Sequence, residues 1–105
     1  MNAFDEYQQK AARTRAGQAD YVMAALGLTG EAGEFADLVK KWYAQGHPLD
    51  RARMIEELGD LLWYAAAAAD ALGVTLADVA QLNVAKLEAR YPSGFSTEAS
   101  LNRAN

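Results

Sequence analysis

The chain has 105 residues, 51% of them hydrophobic and 23% charged, with a formal net charge of −4 and no cysteine. That length fits one domain. The acidic balance argues against binding DNA or RNA as polymers, which needs surplus Lys and Arg, and the missing cysteines exclude disulfides, thiolate zinc sites and cysteine nucleophiles.

The N-terminus, MNAFDEYQQK, lacks a basic start followed by an apolar run and does not read as a secretory signal. The first helix is expected over residues 4–16, ending near Gly17. The second is expected from Gln18 or Ala19 to about Gln45, stopped by Gly46 and Pro48. Gly27, Gly30 and Gly33 lie within it and predict a kink or break in its first half. The third opens after Asp50, a good N-cap, and ends at Gly73. The fourth opens at Thr75, which forms a capping-box pattern with Asp78, and reaches about Arg90 before Pro92. Residues 1–92 thus read as one all-α four-helix bundle with short connections. Residues 93–105 read as a polar, loosely ordered tail. The longest apolar run, residues 61–69, has nine residues, too few to span a bilayer. A cytoplasmic protein without a membrane partner is expected. A chain this small buries a limited share of its surface, so association with further copies is also expected.

The second and third helices carry an unusual polar pattern. Glu31, Glu34, Phe35 and Leu38 stand at i, i+3, i+4 and i+7, and so share one helical face. Glu57, Asp60, Leu61 and Tyr64 repeat the arrangement. The other side of the third helix, Ile55, Leu58, Leu62, Ala65 and Ala69, is apolar too, which leaves little solvent face. A single acidic i, i+3 pair is common on solvated helices. Two pairs in phase, each beside apolar residues on consecutive helices joined by a short connection, point instead to one shared site. Four gathered carboxylates repel unless protonated or bridged by a hard cation. Mg²⁺ and Mn²⁺ favour such oxygen ligands. The alternative inside the bundle is pairing with Lys40, Lys41 or Lys86. Asp37 and Glu56 point away from the shared face, and His47 sits in a loop before Pro48, which disfavours a Glu-x-x-His di-iron site.

The fourth helix lines up Asn83, Lys86, Leu87 and Arg90. That stripe can grip phosphate oxygens, or serve as a solvated basic face with Arg90 against the helix dipole. Trp42, Trp63, Tyr64 and Tyr91 can stack on a nucleobase or pack in a core or interface.

Together, Glu31-x-x-Glu34 and Glu57-x-x-Asp60, separated by 22 residues, and the block Asn83-Val84-Ala85-Lys86-Leu87-Glu88-Ala89-Arg90-Tyr91-Pro92 resemble the MazG-like all-α nucleoside triphosphate pyrophosphohydrolases. The likeness spans roughly residues 7–95. Many members carry a further glutamate directly before the first motif. Here that position is Gly30, so no role for it carries over. The resemblance implies Mg²⁺-dependent hydrolysis of a (d)NTP to the monophosphate and pyrophosphate, as in nucleotide-pool cleaning. It implies Glu31, Glu34, Glu57 and Asp60 as metal ligands, with one of them or Glu56 orienting the attacking water. Lys86, Arg90 and Tyr91 would contact substrate, and Asn83 the phosphate or sugar. Base preference depends on pocket shape from several helices and is not implied by the resemblance; Gln8 and Arg13 on the first helix are candidate contributors. The resemblance also implies homodimers or homotetramers with the site near a helix interface. Two alternatives stand beside this reading: a non-catalytic helical interaction module, and a relative acting on phosphoribosyl-ATP.

Overall fold

A computed structural model describes residues 2–103. Four helices lie close to where the sequence puts them: α1 Ala3–Ala12, α2 Tyr21–Ala44, α3 Arg51–Leu72 and α4 Leu76–Arg90. A short fifth, α5 Thr97–Leu101, occupies the segment read as a tail. The described residues contain no strand, only an isolated bridge between Pro92 and Gly94. No single helix among them is long and apolar enough to cross a membrane.

Local chemistry explains the boundaries. Asn2, Asp20, Asp50 and Ser96 each accept a hydrogen bond from the backbone amide three residues on. Thr75 and Asp78 form the reciprocal capping box. Gly73 closes α3 in the left-handed conformation, φ 72°, where a side chain would be strained. Two expectations need correcting. The first helix stops four residues early, because Thr14 turns both its amide (3.0 Å) and its hydroxyl (2.7 Å) onto the Ala11 carbonyl. Such local bonding competes with continuing the helix. The second helix runs unbroken through Gly27, Gly30 and Gly33. Glycine costs a helix about 1 kcal/mol per residue, and packing along α3, the most extensive helix–helix contact in the fold, outweighs it.

α2 and α3 lie side by side in antiparallel register. Gly27 faces Tyr64 and Glu34 faces Glu57, one number rising as the other falls. The buried cluster behind them is built from three alanines, Ala11, Ala66 and Ala69, and one leucine, Leu76, with Tyr7, Trp63 and Ala65 packed on it. Among the described residues no large side chain is fully buried. The radius of gyration is 16.8 Å, against about 13 Å for a compact chain of this length. The apolar second side of α3 is open within one chain over its first half, with Ile55 54% and Leu58 53% exposed, and closes at Ala69, which is buried; the start of α2 is open too, with Val22 66% exposed.

Gln8, expected to help read a base, instead has every polar atom of its side chain engaged. It is buried; Nε2 donates to Asp70 Oδ1 (2.8 Å) and the Val74 carbonyl (3.1 Å), and Oε1 accepts from the Leu76 amide at 2.7 Å. That amide is a first-turn donor of α4 with no partner inside its own helix. Gln8 therefore pins α1 to the corner between α3 and α4. Replacing Gln8 by Leu is expected to destabilise the fold by about 2 kcal/mol, the usual penalty for stranding buried polar groups. Urea unfolding at constant m-value checks this.

Candidate metal centre

The four carboxylates of the acidic motifs meet between α2 and α3. Glu57 is buried, Glu31 half-buried, and Glu34 and Asp60 exposed. Glu31, Glu57 and Asp60 each offer an oxygen, and these oxygens lie within 4.8 Å of one another. Glu34 joins the group through its hydrogen bond to Glu57. The convergence follows from periodicity: i, i+3 acids on two antiparallel helices face the same interhelical seam.

The cluster is electrostatically unfinished. Glu34 is raised above its ordinary carboxylate pKa, first by the hydrogen bond it donates to Glu57 and then by repulsion from that group. Glu57 is raised first by a hydrogen bond to Glu31, then by burial. Oε2 of Glu31 and Oε2 of Glu57 are both buried without a hydrogen-bond partner. Orphaned carboxylate oxygens of this kind call for a positive partner, and the fold supplies little. Arg53 reaches Glu57 only at 4.0 Å. The lysines expected as an alternative partner are engaged elsewhere, Lys40 (3.1 Å) and Lys41 (2.9 Å) both binding Asp37. Lys86 is exposed. An all-oxygen donor set with buried, unpartnered oxygens fits a hard divalent cation such as Mg²⁺.

Two clefts flank the cluster. One, of about 340 Å³, is lined by Thr14, Glu31, Asp60, Trp63 and Tyr64. The other, of about 430 Å³, is lined by Gly30, Gly33, Glu34, Asp37, Leu38, Lys41 and Arg53. Tyr7 lies near Asp60, and its phenol is raised by burial and then by the Asp60 charge. Neither cleft takes a lining residue from α4. Asn83 and Lys86 stand exposed on α4, which packs on α1 and α3; Arg90 is half-buried, and Tyr91 packs on Phe95 with ring centroids 5.4 Å apart. A single chain therefore gathers the four acids and leaves the α4 stripe off those two clefts. Glu56 and His47 are exposed. Sequence reasoning missed Arg53 and Thr14 at the site. Arg53 was legible as an i, i+4 partner of Glu57, whereas nothing local marks Thr14.

The raised carboxyls set a pH dependence. A group whose folded pKa lies above its ordinary value, 4.5 for glutamate, contributes stability at pH below that value. The contribution is lost as pH rises through the folded pKa. Asp37, lowered by its bonds to Lys41 and then Lys40, has the opposite sign: its contribution stands above 3.8 and is lost only as pH falls below that. The metal-free chain is expected to melt at lower temperature at about pH 7.5 than at about pH 5, with Mg²⁺ stabilising it more at the higher pH. Calorimetry with and without Mg²⁺ checks both parts. A metal-free Tm that rises over this window contradicts the account.

The profile of the MazG nucleotide pyrophosphohydrolase domain matches residues 21–95, a span that includes both acidic motifs and the α4 block. The Gene 37 protein of Mycobacterium phage L5 is 39% identical over 82 residues, covering 74% of this chain and 72% of its own length. No solved structure matches the chain. With its paired acidic motifs on α2 and α3 and a profile match over most of its length, the chain belongs to the MazG nucleotide pyrophosphohydrolase family.

Proposed function

We propose that the protein is a Mg²⁺-dependent hydrolase that splits a (d)NTP into the (d)NMP and pyrophosphate. The observation that carries this reading is the convergence of Glu31, Glu57 and Asp60, with two buried carboxylate oxygens lacking partners. Glu31, Glu57 and Asp60 would hold the cation, with Glu34 beside them as a further ligand or as the group that orients water. When bound, Mg²⁺ would supply charge neutralisation on the phosphate oxygens and a lowered pKa for a bound water. The chain's own part is to fix the carboxylates. α2 and α3 hold them on one seam, and Glu57 is buried so that its orientation is set before substrate arrives. Arg53, exposed and only loosely tied to Glu57, lines the cleft on the Glu34 side and can turn to a phosphate oxygen. Asn83, Lys86, Arg90 and Tyr91 are proposed as substrate contacts, supported by their place within the family match.

The chain is proposed to work as a homodimer or homotetramer. The exposed apolar residues at the start of α2 and over the first half of α3, together with the large radius of gyration, support that reading. A soluble triphosphate substrate fits a cytoplasmic setting and nucleotide-pool cleaning. The test is pyrophosphate release from the eight common ribo- and deoxyribonucleoside triphosphates and from phosphoribosyl-ATP, each with Mg²⁺ and with Mn²⁺. Release from at least one nucleoside triphosphate, abolished by chelation, is expected. Release from phosphoribosyl-ATP alone narrows the reading to that substrate, and no release from any compound overturns it.

A further inference from the structure

Four aromatic residues stand out as possible base platforms, and the fold separates them. Trp42 is 47% exposed and packs beside Tyr43, centroids 6.3 Å apart. Tyr91 packs on Phe95 beyond the end of α4. Trp63 and Tyr64 alone line the cleft that also holds Glu31 and Asp60.

These two rings are held in place by specific contacts. The Trp63 indole N–H donates to Thr14 Oγ1 at 2.8 Å, and that hydroxyl spends its single proton on the Ala11 carbonyl at 2.7 Å. The hydroxyl is thereby turned to accept, so one residue of the α1–α2 connection fixes the indole. Tyr64 meets Trp63 edge to face, centroids 4.9 Å apart and planes at 82°. The ring of Tyr64 lies against Gly27, where a Cβ would overlap it. Both rings also wall a neighbouring cavity of about 180 Å³ that carries Arg15, Gln18 and Asp20 beside Met23 and Ala67. Aromatic faces with a few hydrogen-bonding groups at hand, next to a polyanion site, are what a base and sugar require.

We propose that Trp63, positioned by Thr14 and buttressed by Tyr64, receives the nucleoside end of the substrate, with the triphosphate running toward Glu31 and Asp60. The proposal rests on the pyrophosphohydrolase reading and adds to it the direction in which substrate lies. Thr14 is a positioning residue that acts through the indole, and Trp63 is the contact.

The experiment uses a Trp42→Phe background, so that indole emission reports Trp63 alone. With Mg²⁺ present, an α,β-methylene nucleoside triphosphate, which binds without being cleaved, is compared with inorganic tripolyphosphate, which has no base. The nucleotide is expected to quench Trp63 emission saturably, and tripolyphosphate to bind without quenching. Trp63→Leu is expected to weaken nucleotide affinity about tenfold, the usual worth of a stacked base, and to leave tripolyphosphate affinity within about twofold. Thr14→Val should weaken nucleotide affinity several-fold, and Thr14→Ser should restore it. The tripolyphosphate arm also reports whether each variant is folded. Nucleotide binding, measured by calorimetry, with no change in Trp63 emission overturns the proposal and leaves the hydrolase reading standing. Equal losses for both ligands do the same. If neither ligand binds the parent protein, the hydrolase reading falls together with it.

Discussion

Glu57→Gln is expected to reduce pyrophosphate release by at least about a hundredfold, since even residues that only support metal ligands lose 10- to 100-fold when changed. The same substitution should leave the metal-free protein at least as stable as the parent at neutral pH. Glu57 is the buried member of the acidic cluster, and its ionised form faces Glu31, Glu34 and Asp60 with only a distant Arg53 in return. Removing that charge removes repulsion while the amide keeps the shape. A group that serves the fold would lose stability and activity together. A group kept for a cation loses activity and gains or holds stability, the trade expected where function requires strain. The checks are Tm without metal, the Mg²⁺-induced rise in Tm, and turnover. The rise should shrink sharply in the variant.

Gly27→Ala is expected to disable the site from the opposite helix. A Cβ at position 27 would overlap the Tyr64 ring, so either the ring swings away or α2 and α3 move apart. Two effects compete. Alanine improves helix propensity by about 1 kcal/mol, whereas overpacking a close helix contact costs about 1–3 kcal/mol. Overpacking wins or nearly cancels, so a net loss of about 1 kcal/mol is expected by urea unfolding. The larger effect falls on activity, because Tyr64 borders the cleft that holds Glu31 and Asp60. A fall of about tenfold or more in kcat/KM is expected, consistent with the sensitivity of catalysis to ångström displacements. Adding Tyr64→Ala to Gly27→Ala should recover stability relative to the sum of the single changes, because the overlap is then gone. Strict additivity would mean that the two residues do not meet as described.

What could be read from sequence divides by the range of the interaction. The caps at Asp50, Gly73 and Thr75–Asp78 depend on neighbours three or four residues away, and the structure reproduces them. The gathering of Glu31, Glu34, Glu57 and Asp60 was legible for a related reason: helical period and a short connection together leave few places for the four groups to go. The end of α1 was misjudged because a threonine hydroxyl competed with the helix at Ala11. The glycines of α2 do not break it: Gly27 lies against Tyr64 of α3, a contact visible only once the partner helix is known, while Gly30 and Gly33 face open space and are carried by the packing of the helix as a whole. Gln8 reads from sequence only as a candidate contributor to base preference, because its partners, Asp70, Val74 and Leu76, are more than sixty residues distant and only the folded chain brings them near. Thr14 escaped notice for the same reason, its partner Trp63 lying 49 residues on. The α4 stripe is a partial case. Its helix and cap were read correctly, whereas the clefts beside the acids draw nothing from it within one chain.

The central claim is that Glu31, Glu57 and Asp60 share a divalent ion. Its most direct test is a crystal grown with Mn²⁺ and an α,β-methylene nucleoside triphosphate, with the metal located by its anomalous scattering. The account predicts a peak within about 2.0–2.3 Å of oxygens from all three carboxylates, with a phosphate oxygen completing the sphere. A nucleotide bound with its metal away from these residues, or seated there with no metal peak among the three, would contradict it.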